Sequence, residues 1–288
     1  MDMGFLFASL IDGLLLGFVF GVAAIGLTLI FGVMEVINLA HGPVIALGMF
    51  GLYFAATLLG LHPYAGTVLT AAGGLLLGIL IYAIAVHRVI GAPHLSSLLA
   101  TYSINMMIIG IGTALLTTSP RNIEFTLGSV TLGTATIPVT RIVAALASLL
   151  AAVALYLFMQ YTRWGKFIRA VTDNRDAAEL VGIPSTKVLA LSFGLGTMLA
   201  AFSGALIATL FPFTILEGGK YELKSFVISV LGGLGNPMGA LIGGIIIGLI
   251  EGLVPVFLPT TWVLVVEFVL FVLILLIRPT GLFGGRAH

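Results

Sequence analysis

Long runs of apolar residues that are almost free of charge recur along this chain. Five of them are Val44–Leu61, Tyr64–Val86, Leu95–Leu116, Ile142–Tyr161 and Val188–Phe211. A helix of about 20 apolar residues crosses the hydrocarbon of a bilayer and satisfies its own backbone groups there. Hydrophobic residues make up 60% of the chain, charged residues only 8%, and the mean hydropathy is +1.23. The pattern predicts an all-α, polytopic integral membrane protein with about 8–10 transmembrane or re-entrant helices.

Several other classes of protein are not indicated. The formal net charge is +1, and no basic patch with interleaved aromatic residues is present to suggest a nucleic-acid partner. Cysteine is absent, and the five histidines lack ligand spacing, so we expect no disulfide, no metal site and no cofactor. The first thirty residues have no basic leading segment, and their apolar run is longer than that of a signal peptide. We therefore expect them to be retained.

One stretch, Arg163–Lys187, differs from the rest, since it holds eight of the 23 charged residues. Asp173 or Asn174 can cap a helix, and Gly182 suits the left-handed residue that ends one. The pattern predicts a helix of about two turns between them. Its other favourable residues are Asp176 near the positive end, the helix formers Ala177, Ala178 and Leu180, and Pro184 as the stop. Two interpretations remain: a cytoplasmic loop at the membrane surface, or a docking helix that a soluble partner grips.

The basic residues predict the orientation, because short loops rich in Lys and Arg stay in the cytoplasm. Arg88, the 163–187 stretch, and Arg278 with Arg286 then lie on the cytoplasmic side. An even number of crossings must follow Lys187. Phe226–Gly235 is too short to cross alone, so it is predicted to be a short or re-entrant helix. The predicted outer loops are the Thr- and Gly-rich, β-prone Thr117–Thr140 and the segment Pro212–Lys224.

The N-terminal half allows two arrangements. Phe5–Val33 is long for one crossing. In the first arrangement, the polar break at Asn38–Pro43 corresponds to the break at Gly235–Gly239, and Phe5–Val33 contains two segments. The chain then has about ten segments, and its N-terminus lies inside the cell. A single long helix gives an outside N-terminus. Breaks at corresponding places in two halves indicate a transport path.

Glycine and isolated polar residues mark the interior of the predicted bundle. Spacings of four at Gly13–Gly17–Gly21 and Gly235–Gly239–Gly243 favour close helix packing. Intramembrane polar side chains are costly and suggest function. Asn38 and His41 either satisfy the backbone freed by the break or line the path, and Asn105 either bonds a neighbouring helix or lines it. The remaining acidic candidates are Asp12 at an interface, Glu35 as a cap or functional group, Glu251 near the outer interface, and Glu267, whose partner the sequence does not identify.

Four motifs carry a resemblance to a known family. They are G-V-M-E-V-I-N-L-A-H-G (32–42), the 163–187 stretch, L-G-G-L-G (231–235) leading into G-A-L-I-G-G, and I-R-P-T-G-L-F-G (277–284). In this order they resemble the shorter membrane permease of ABC importers for branched-chain amino acids. The chain departs from that family at Pro43, where a small or acidic residue is commoner, and at Asn236-Pro237-Met238, which replaces a serine-led turn.

The resemblance implies a single permease domain with two pseudo-repeated halves, 1–160 and 188–288, joined by a cytoplasmic coupling loop, 163–187. It implies a multi-pass protein of the cell inner membrane, with no catalytic residue and with ATP hydrolysed by two separate cytoplasmic subunits. The chain itself has no G-x-x-x-x-G-K-[ST] phosphate loop. The other implied partners are a second homologous permease, an extracytoplasmic substrate-binding protein and membrane lipid.

Candidate site residues follow from the breaks and the coupling loop. Coupling to the ATPase is assigned to Arg169, Asp173, Arg175, Asp176, Ala178, Glu179 and Gly182, and the translocation path to Asn38, His41, Gly42, Asn105, Gly235 and Asn236. The expected cargo is leucine, isoleucine, valine or a similar small amphipathic solute, with urea or short amides as alternatives. Two other classes of protein would require different residues. An ion-coupled secondary transporter would need paired carboxylates at a break. A membrane enzyme would need a group of catalytic side chains on one face, such as His with Asp or Glu.

Overall fold

The computed structural model describes residues 3–132 and 135–284, which form a bundle of helices. In the first half the helices are α1 Met3–Met34, α2 His41–Thr57, α3 Pro63–Ile81, α4 His87–Val89 and α5 His94–Leu116. The middle contains strands β1 Ser129–Leu132 and β2 Ala135–Pro138, then α6 Val139–Tyr161, α7 Arg163–Asp173 and α8 Arg175–Leu180. The last part contains α9 Ser185–Ala208, α10 Gly218–Gly232, α11 Pro237–Phe257 and α12 Trp262–Ile277. A π-helical turn, Tyr82–Val86, joins α3 to α4, and a 3-10 turn, Ile215–Glu217, precedes α10.

The predicted all-α membrane architecture is confirmed. Six helical segments in the described ranges are long and apolar enough to cross a membrane, and α2 and α12 are shorter apolar helices. β1 and β2 form one antiparallel hairpin inside the predicted outer excursion Thr117–Thr140. The β-prone composition of that excursion is therefore reflected in its structure.

Helix α1 settles the alternative that the sequence left open. It is one continuous helix of 32 residues, about 48 Å long, so Phe5–Val33 does not hide two segments. Near its start Asp12 forms an ion pair with Arg141, beside the β-hairpin. Its other end, at Glu35, lines a cleft together with Arg175. The start of α1 is therefore at the end of the bundle opposite to the 163–187 stretch.

The described parts of the three basic segments lie at one end of the bundle, as the charge argument requires, and Arg286 lies outside the described residues. Ile90, two residues after Arg88, shares the cleft of Glu35 and Arg175. The C-terminal segment reaches the same end, because Asn236 donates a hydrogen bond to the carbonyl of Phe283. At the opposite end the His62 ring contacts Phe125, with ring centroids 5.2 Å apart. The charge rule assigns the basic end to the cytoplasm.

Two long helix pairs form the frame of the bundle. Helix α1 runs along α11 with glycine against glycine, for example Gly17 against Gly244, as the four-residue spacing predicted. Helix α3 runs along α9, where Thr197 donates a hydrogen bond to the carbonyl of Gly74 (3.0 Å). The two shorter helices α2 and α10 contact each other. The series α1, α2, α3, α5 thus corresponds to the series α9, α10, α11, α12 in the opposite orientation, with α6–α8 between them.

This correspondence corrects two expectations. The predicted outer loop Pro212–Lys224 is wrong in its second half, because α10 already begins at Gly218, and the short helix ends at Gly232. The break at Asn38–Pro43 has its counterpart in the non-helical segment 211–214 and the 3-10 turn Ile215–Glu217 before α10, and not in Gly235–Gly239. Each of these two segments precedes a short helix, whereas Gly235–Gly239 follows one.

Candidate functional site

The chain turns sharply between α1 and α2. Glu35 has a left-handed backbone (φ 53°). This conformation costs a residue with a side chain about 1–2 kcal/mol. The N–H of Glu35 donates a hydrogen bond to the carbonyl of Phe31. Three residues later the Asn38 side chain accepts a hydrogen bond from the N–H of Ala40 (3.1 Å). Asn38 is buried and its Oδ1 supports the backbone of the break, while its Nδ2 has no hydrogen-bond partner within residues 3–132 and 135–284. Its place on the translocation path stays a prediction.

His41 begins α2 in the centre of the bundle. Its Nε2 lies 2.9 Å from the carbonyl oxygen of Ala23 in α1. Its ring also packs beside Gly26, at the point where the backbone of α1 touches α9 at Gly196. Gly196 is the twelfth of the 24 residues of α9, about 16 Å along that helix from Ser185. Helix α2 therefore starts near the middle of the membrane.

Helix α5 completes the hydrogen bonding of this turn. Thr101 donates to the carbonyl of Ile37 (3.0 Å), and one turn later Asn105 donates to the carbonyl of Leu39. Asn105 also donates to Oε2 of Glu222 in α10 (3.2 Å). Of the two alternatives for Asn105, the bond to a neighbouring helix is present, and the residue also supports the break. Its place on the path stays a prediction.

The short helices α2 and α10 meet at their first residues. A side chain at Gly42 would collide with the carbonyl oxygen of Gly218 and with the side chain of Glu222. We call the residues that meet here the central junction: Asn38–Pro43, Asn105 and Gly218–Glu222. The positive ends of two helix dipoles therefore face each other inside the bundle.

A buried ion cluster lies next to the central junction and was missed in the sequence. The Lys224 ammonium pairs with Glu251 and lies 3.4 Å from Glu267, and it sits 4.4 Å from the centroid of the Phe20 ring. Lys224 is thus the partner that Glu267 lacked, and it binds Glu251 within the bundle. The residues Tyr221, Lys224, Ser225 and Ile228 are all buried and recur every three or four positions. This spacing is typical of one face of a helix and could have indicated α10 from the sequence.

Two of the predicted path residues lie elsewhere. Gly235 (φ 84°) packs against Gly32 near the cytoplasmic end of α1. Asn236 accepts a hydrogen bond from the N–H of Gly239 (3.1 Å) and so caps α11. Helix α10, about 21 Å long, separates this turn from the central junction. The structure therefore brings together Asn38, His41, Gly42 and Asn105, but not Gly235 and Asn236.

Helix α7 forms the base of the coupling loop. The Thr162 hydroxyl caps it by accepting from the N–H of Gly165 (3.0 Å), and Ile168 and Val171 are buried beneath it. Arg169 donates to the carbonyl of Met159 and to the side chain of Gln160, which ties α7 to α6. α7 also packs against α1 and α9.

Helix α8 is the short helix that the sequence predicted. Of the two candidate caps, Asn174 accepts the hydrogen bond from Ala177 (2.9 Å), while Asp173 is the last residue of α7. Gly182 is left-handed (φ 85°), and the N–H of Ile183 bonds back to the carbonyl of Ala178 (3.0 Å). Both ends of this helix are therefore closed.

The side chains of α8 divide into a fixed and a free set. Ala178 is buried, and hydrogen bonds from Ser185 and Arg175 to Glu179 lower the pKa of Glu179. Asp176 is exposed in the first turn. Leu180 and Val181 are 89% and 77% exposed at the tip of the loop. Two large apolar side chains thus project from a capped helix at the cytoplasmic end.

Neither site has the composition of a metal centre. Within residues 3–132 and 135–284, no group of three or more His, Cys, Asp or Glu side chains is arranged to hold a metal ion. The central junction and the coupling loop instead offer hydrogen-bonding groups, one ion cluster and an exposed apolar tip.

The fold and these two sites define a multi-pass membrane permease with re-entrant segments and a structured loop at the basic end of the bundle. A family model described as the permease component of branched-chain amino acid transport systems matches residues 9–275. The chain belongs to this family.

Individual relatives agree over almost the whole length. The chain is 32% identical to the high-affinity branched-chain amino acid transport system permease protein LivH of Salmonella typhimurium and to LivH of Escherichia coli, in each case over 96% of this chain and 94% of the relative. It is 28% identical to the high-affinity branched-chain amino acid transport system permease protein BraD of Pseudomonas aeruginosa, over 96% and 95%.

Proposed function

We propose that the chain is the membrane-spanning subunit of an ABC importer in the cell inner membrane. It moves branched-chain or related amino acids into the cell, and ATP hydrolysis on two separate cytoplasmic subunits drives the movement. Membership of the permease family and the names of the relatives, which are branched-chain amino acid transport proteins, support this proposal.

The observation that carries the proposal is the tip of the coupling loop. Leu180 and Val181 are exposed to water beyond the cytoplasmic end of the bundle, where an unpartnered apolar pair is unfavourable. Leu180 is the last residue of α8 and Val181 follows it, and both ends of this helix are closed, so the two side chains are held in place rather than on a flexible loop. A groove on a cytoplasmic ATPase subunit is the partner that we propose for them.

The packing of the coupling loop supports a mechanical link from this tip to the path. A force on α8 passes to α7, which packs against α1 and α9. These two helices cross at Gly26 and Gly196, beside His41. We propose that closure of the ATPase subunits changes the angle of this crossing and so changes the central junction.

The charges on the outer surface of α10 support a path shared with a second subunit. Lys220 is exposed and Glu222 is half-buried, although both belong to a helix that starts near mid-membrane. Charged side chains at this depth face protein or water rather than lipid. We propose that a second homologous permease covers this surface of α5 and α10 and that the path runs between the two subunits. An extracytoplasmic binding protein would deliver the cargo at the β-hairpin end.

One observation favours a second candidate, an ion-coupled transporter. Glu251 and Glu267 share Lys224 inside the bundle, and a pair of carboxylates can serve as a coupling site. Uptake into proteoliposomes separates the two candidates. The importer needs internal ATP and is indifferent to ionophores, whereas the ion-coupled transporter needs a gradient and no ATP.

The proposed docking is tested with the double variant Leu180→Asp, Val181→Asp. We expect a loss of at least tenfold in the ATPase retained on purification of the complex, together with loss of substrate-stimulated ATP hydrolysis. The matched control is Leu58→Asp, Leu59→Asp, an exposed apolar pair at the opposite end of the bundle. Full retention and stimulation in the first variant would show that the tip does not bind the ATPase.

A further inference from the structure

The Glu222 carboxylate lies at the mid-depth of the membrane. Its Oε2 accepts a hydrogen bond from Asn105, which is the twelfth of the 23 residues of α5. Each end of α5 is therefore about 16 Å away from this contact. The Glu222 side chain also packs against Gly42, one residue after the start of α2.

No cation in the described part of the chain neutralises this carboxylate. Lys224, the nearest lysine along α10 on the buried side, is already shared by Glu251 and Glu267. Lys220 lies against the Tyr221 ring, with its ammonium 5.7 Å from the ring centroid. An acidic side chain in the membrane normally has a partner of opposite charge. The ionised form of Glu222 therefore needs a cation from outside the described residues.

The free hydrogen-bonding atoms directly at Glu222 are acceptors, while Nδ2 of Asn38 and Nδ1 of His41 are the other buried side-chain atoms of the central junction without a partner in the described ranges. Asn105 holds Oε2 in place, and Oε1 has no hydrogen-bond partner in residues 3–132 and 135–284. The Oδ1 atom of Asn105 is buried and also lacks a partner within these ranges. A carboxylate oxygen and an amide oxygen side by side match a group that only donates, and an ammonium group has three N–H donors and no acceptor.

We propose that Glu222 and Asn105 form the subsite that binds the ammonium group of the amino-acid cargo inside the bundle. This inference rests on the proposed function. Glu222 supplies the opposite charge at mid-membrane, and Asn105 orients it and adds a second acceptor. The half-buried position of Glu222 on the outer surface of α10 leaves the site open to the proposed path.

The test uses the complete complex in proteoliposomes with the binding protein loaded with labelled L-leucine. The variant Glu222→Gln keeps the size of the side chain and removes its charge. We expect the leucine taken up per ATP hydrolysed to fall at least tenfold, with an unchanged amount of the second permease subunit in the complex. Glu222→Asp should recover part of the uptake. Glu217→Gln, a nearby acidic position on the preceding turn, is the control and should match the wild type.

A binding measurement on the detergent-purified complex gives an independent readout. The wild-type complex should bind L-leucine in preference to 4-methylpentanoate, which is leucine without its amine, and Glu222→Gln should lose this preference. Equal uptake and an equal preference in Glu222→Gln would overturn the subsite. Loss of the second permease subunit from Glu222→Gln would also overturn it, because Glu222 would then pair with a cation of that subunit. A wild-type complex without ATP-dependent leucine uptake would instead overturn the proposed function itself, and this inference with it.

Discussion

The carbonyl oxygen of Gly218 and the side chain of Glu222 occupy the space that a side chain at Gly42 would need. Gly42→Ala should therefore separate the first turns of α2 and α10, and overpacking of this kind costs about 1–3 kcal/mol. We expect ATP-dependent uptake to fall several-fold at normal membrane insertion, and Gly42→Leu to abolish it. The control is Gly219→Ala, one residue after Gly218, where an added Cβ meets no atom within 4 Å.

Uptake at the wild-type rate in Gly42→Ala, with normal amounts of protein in the membrane, would show that the contact between α2 and α10 is irrelevant to transport. A comparable loss in Gly219→Ala would show that any change on this turn is harmful.

Lys224 should be important for stability because it compensates two carboxylates at once. Lys224→Met removes the cation that is paired with Glu251 and Glu267 inside the bundle, and removing one partner of a buried ion pair costs about 3–5 kcal/mol. The triple variant with Glu251→Gln and Glu267→Gln should recover most of the loss, since no charge is then left unpaired. Thermal unfolding of the detergent-purified protein measures both effects. A triple variant less stable than Lys224→Met alone would contradict this account.

At the scale of single elements, the closed ends of α8 should determine how well the coupling loop works. Gly182 has φ 85°, and a β-branched residue there is strained by at least about 1 kcal/mol. We expect Gly182→Val, and the cap variant Asn174→Ala, to insert normally but to reduce substrate-stimulated ATP hydrolysis. The matched control is Gly91→Val, since Gly91 is also left-handed (φ 83°) with open space around it and lies in another cytoplasmic turn. Equal stimulation in all of these variants would mean that the rigidity of α8 plays no part.

The elements that the sequence predicted well are those with local signals. The cap and stop of α8 lie within ten residues, and the β-prone residues of the outer excursion form their own hairpin. Helix α10 was partly missed because its first half contains Lys220, Glu222 and Lys224, which locally resemble a loop. The partners that allow these charges inside the bundle come from other helices, such as Asn105 in α5 and Glu267 in α12. Hydropathy along the chain carries no information about such partners.

At the scale of the whole molecule, the continuous helix α1 fixes the side on which its first residues lie. Because the native chain has no cysteine, single cysteines can be labelled without background. Phe7→Cys and Thr126→Cys should react with an impermeant thiol reagent added from outside, and Thr172→Cys should react only after the membrane is opened. All three positions are exposed. Labelling of Phe7→Cys only from the inside would mean that α1 does not cross as one helix.

The sequence led to a wrong match between the two breaks in the chain. Asn38–Pro43 and Gly235–Gly239 are the two most conspicuous polar or glycine-rich interruptions in the sequence. The true counterpart of the first, the segment before Gly218, includes Phe211, Phe213 and Ile215, so it does not read as a break. Its equivalence becomes visible only from the packing of α1 on α11 and of α3 on α9.

The glycine contact between α1 and α11 has a consequence for synthesis of the protein. Gly17 leaves the ribosome more than 220 residues before Gly244, which it packs against. At typical elongation rates of 5–20 residues per second this interval lasts roughly 10 to 45 s. During that time the glycine face of the first helix has only lipid, other nascent helices or the insertion machinery as neighbours. Completion of the fold therefore waits for the last hundred residues.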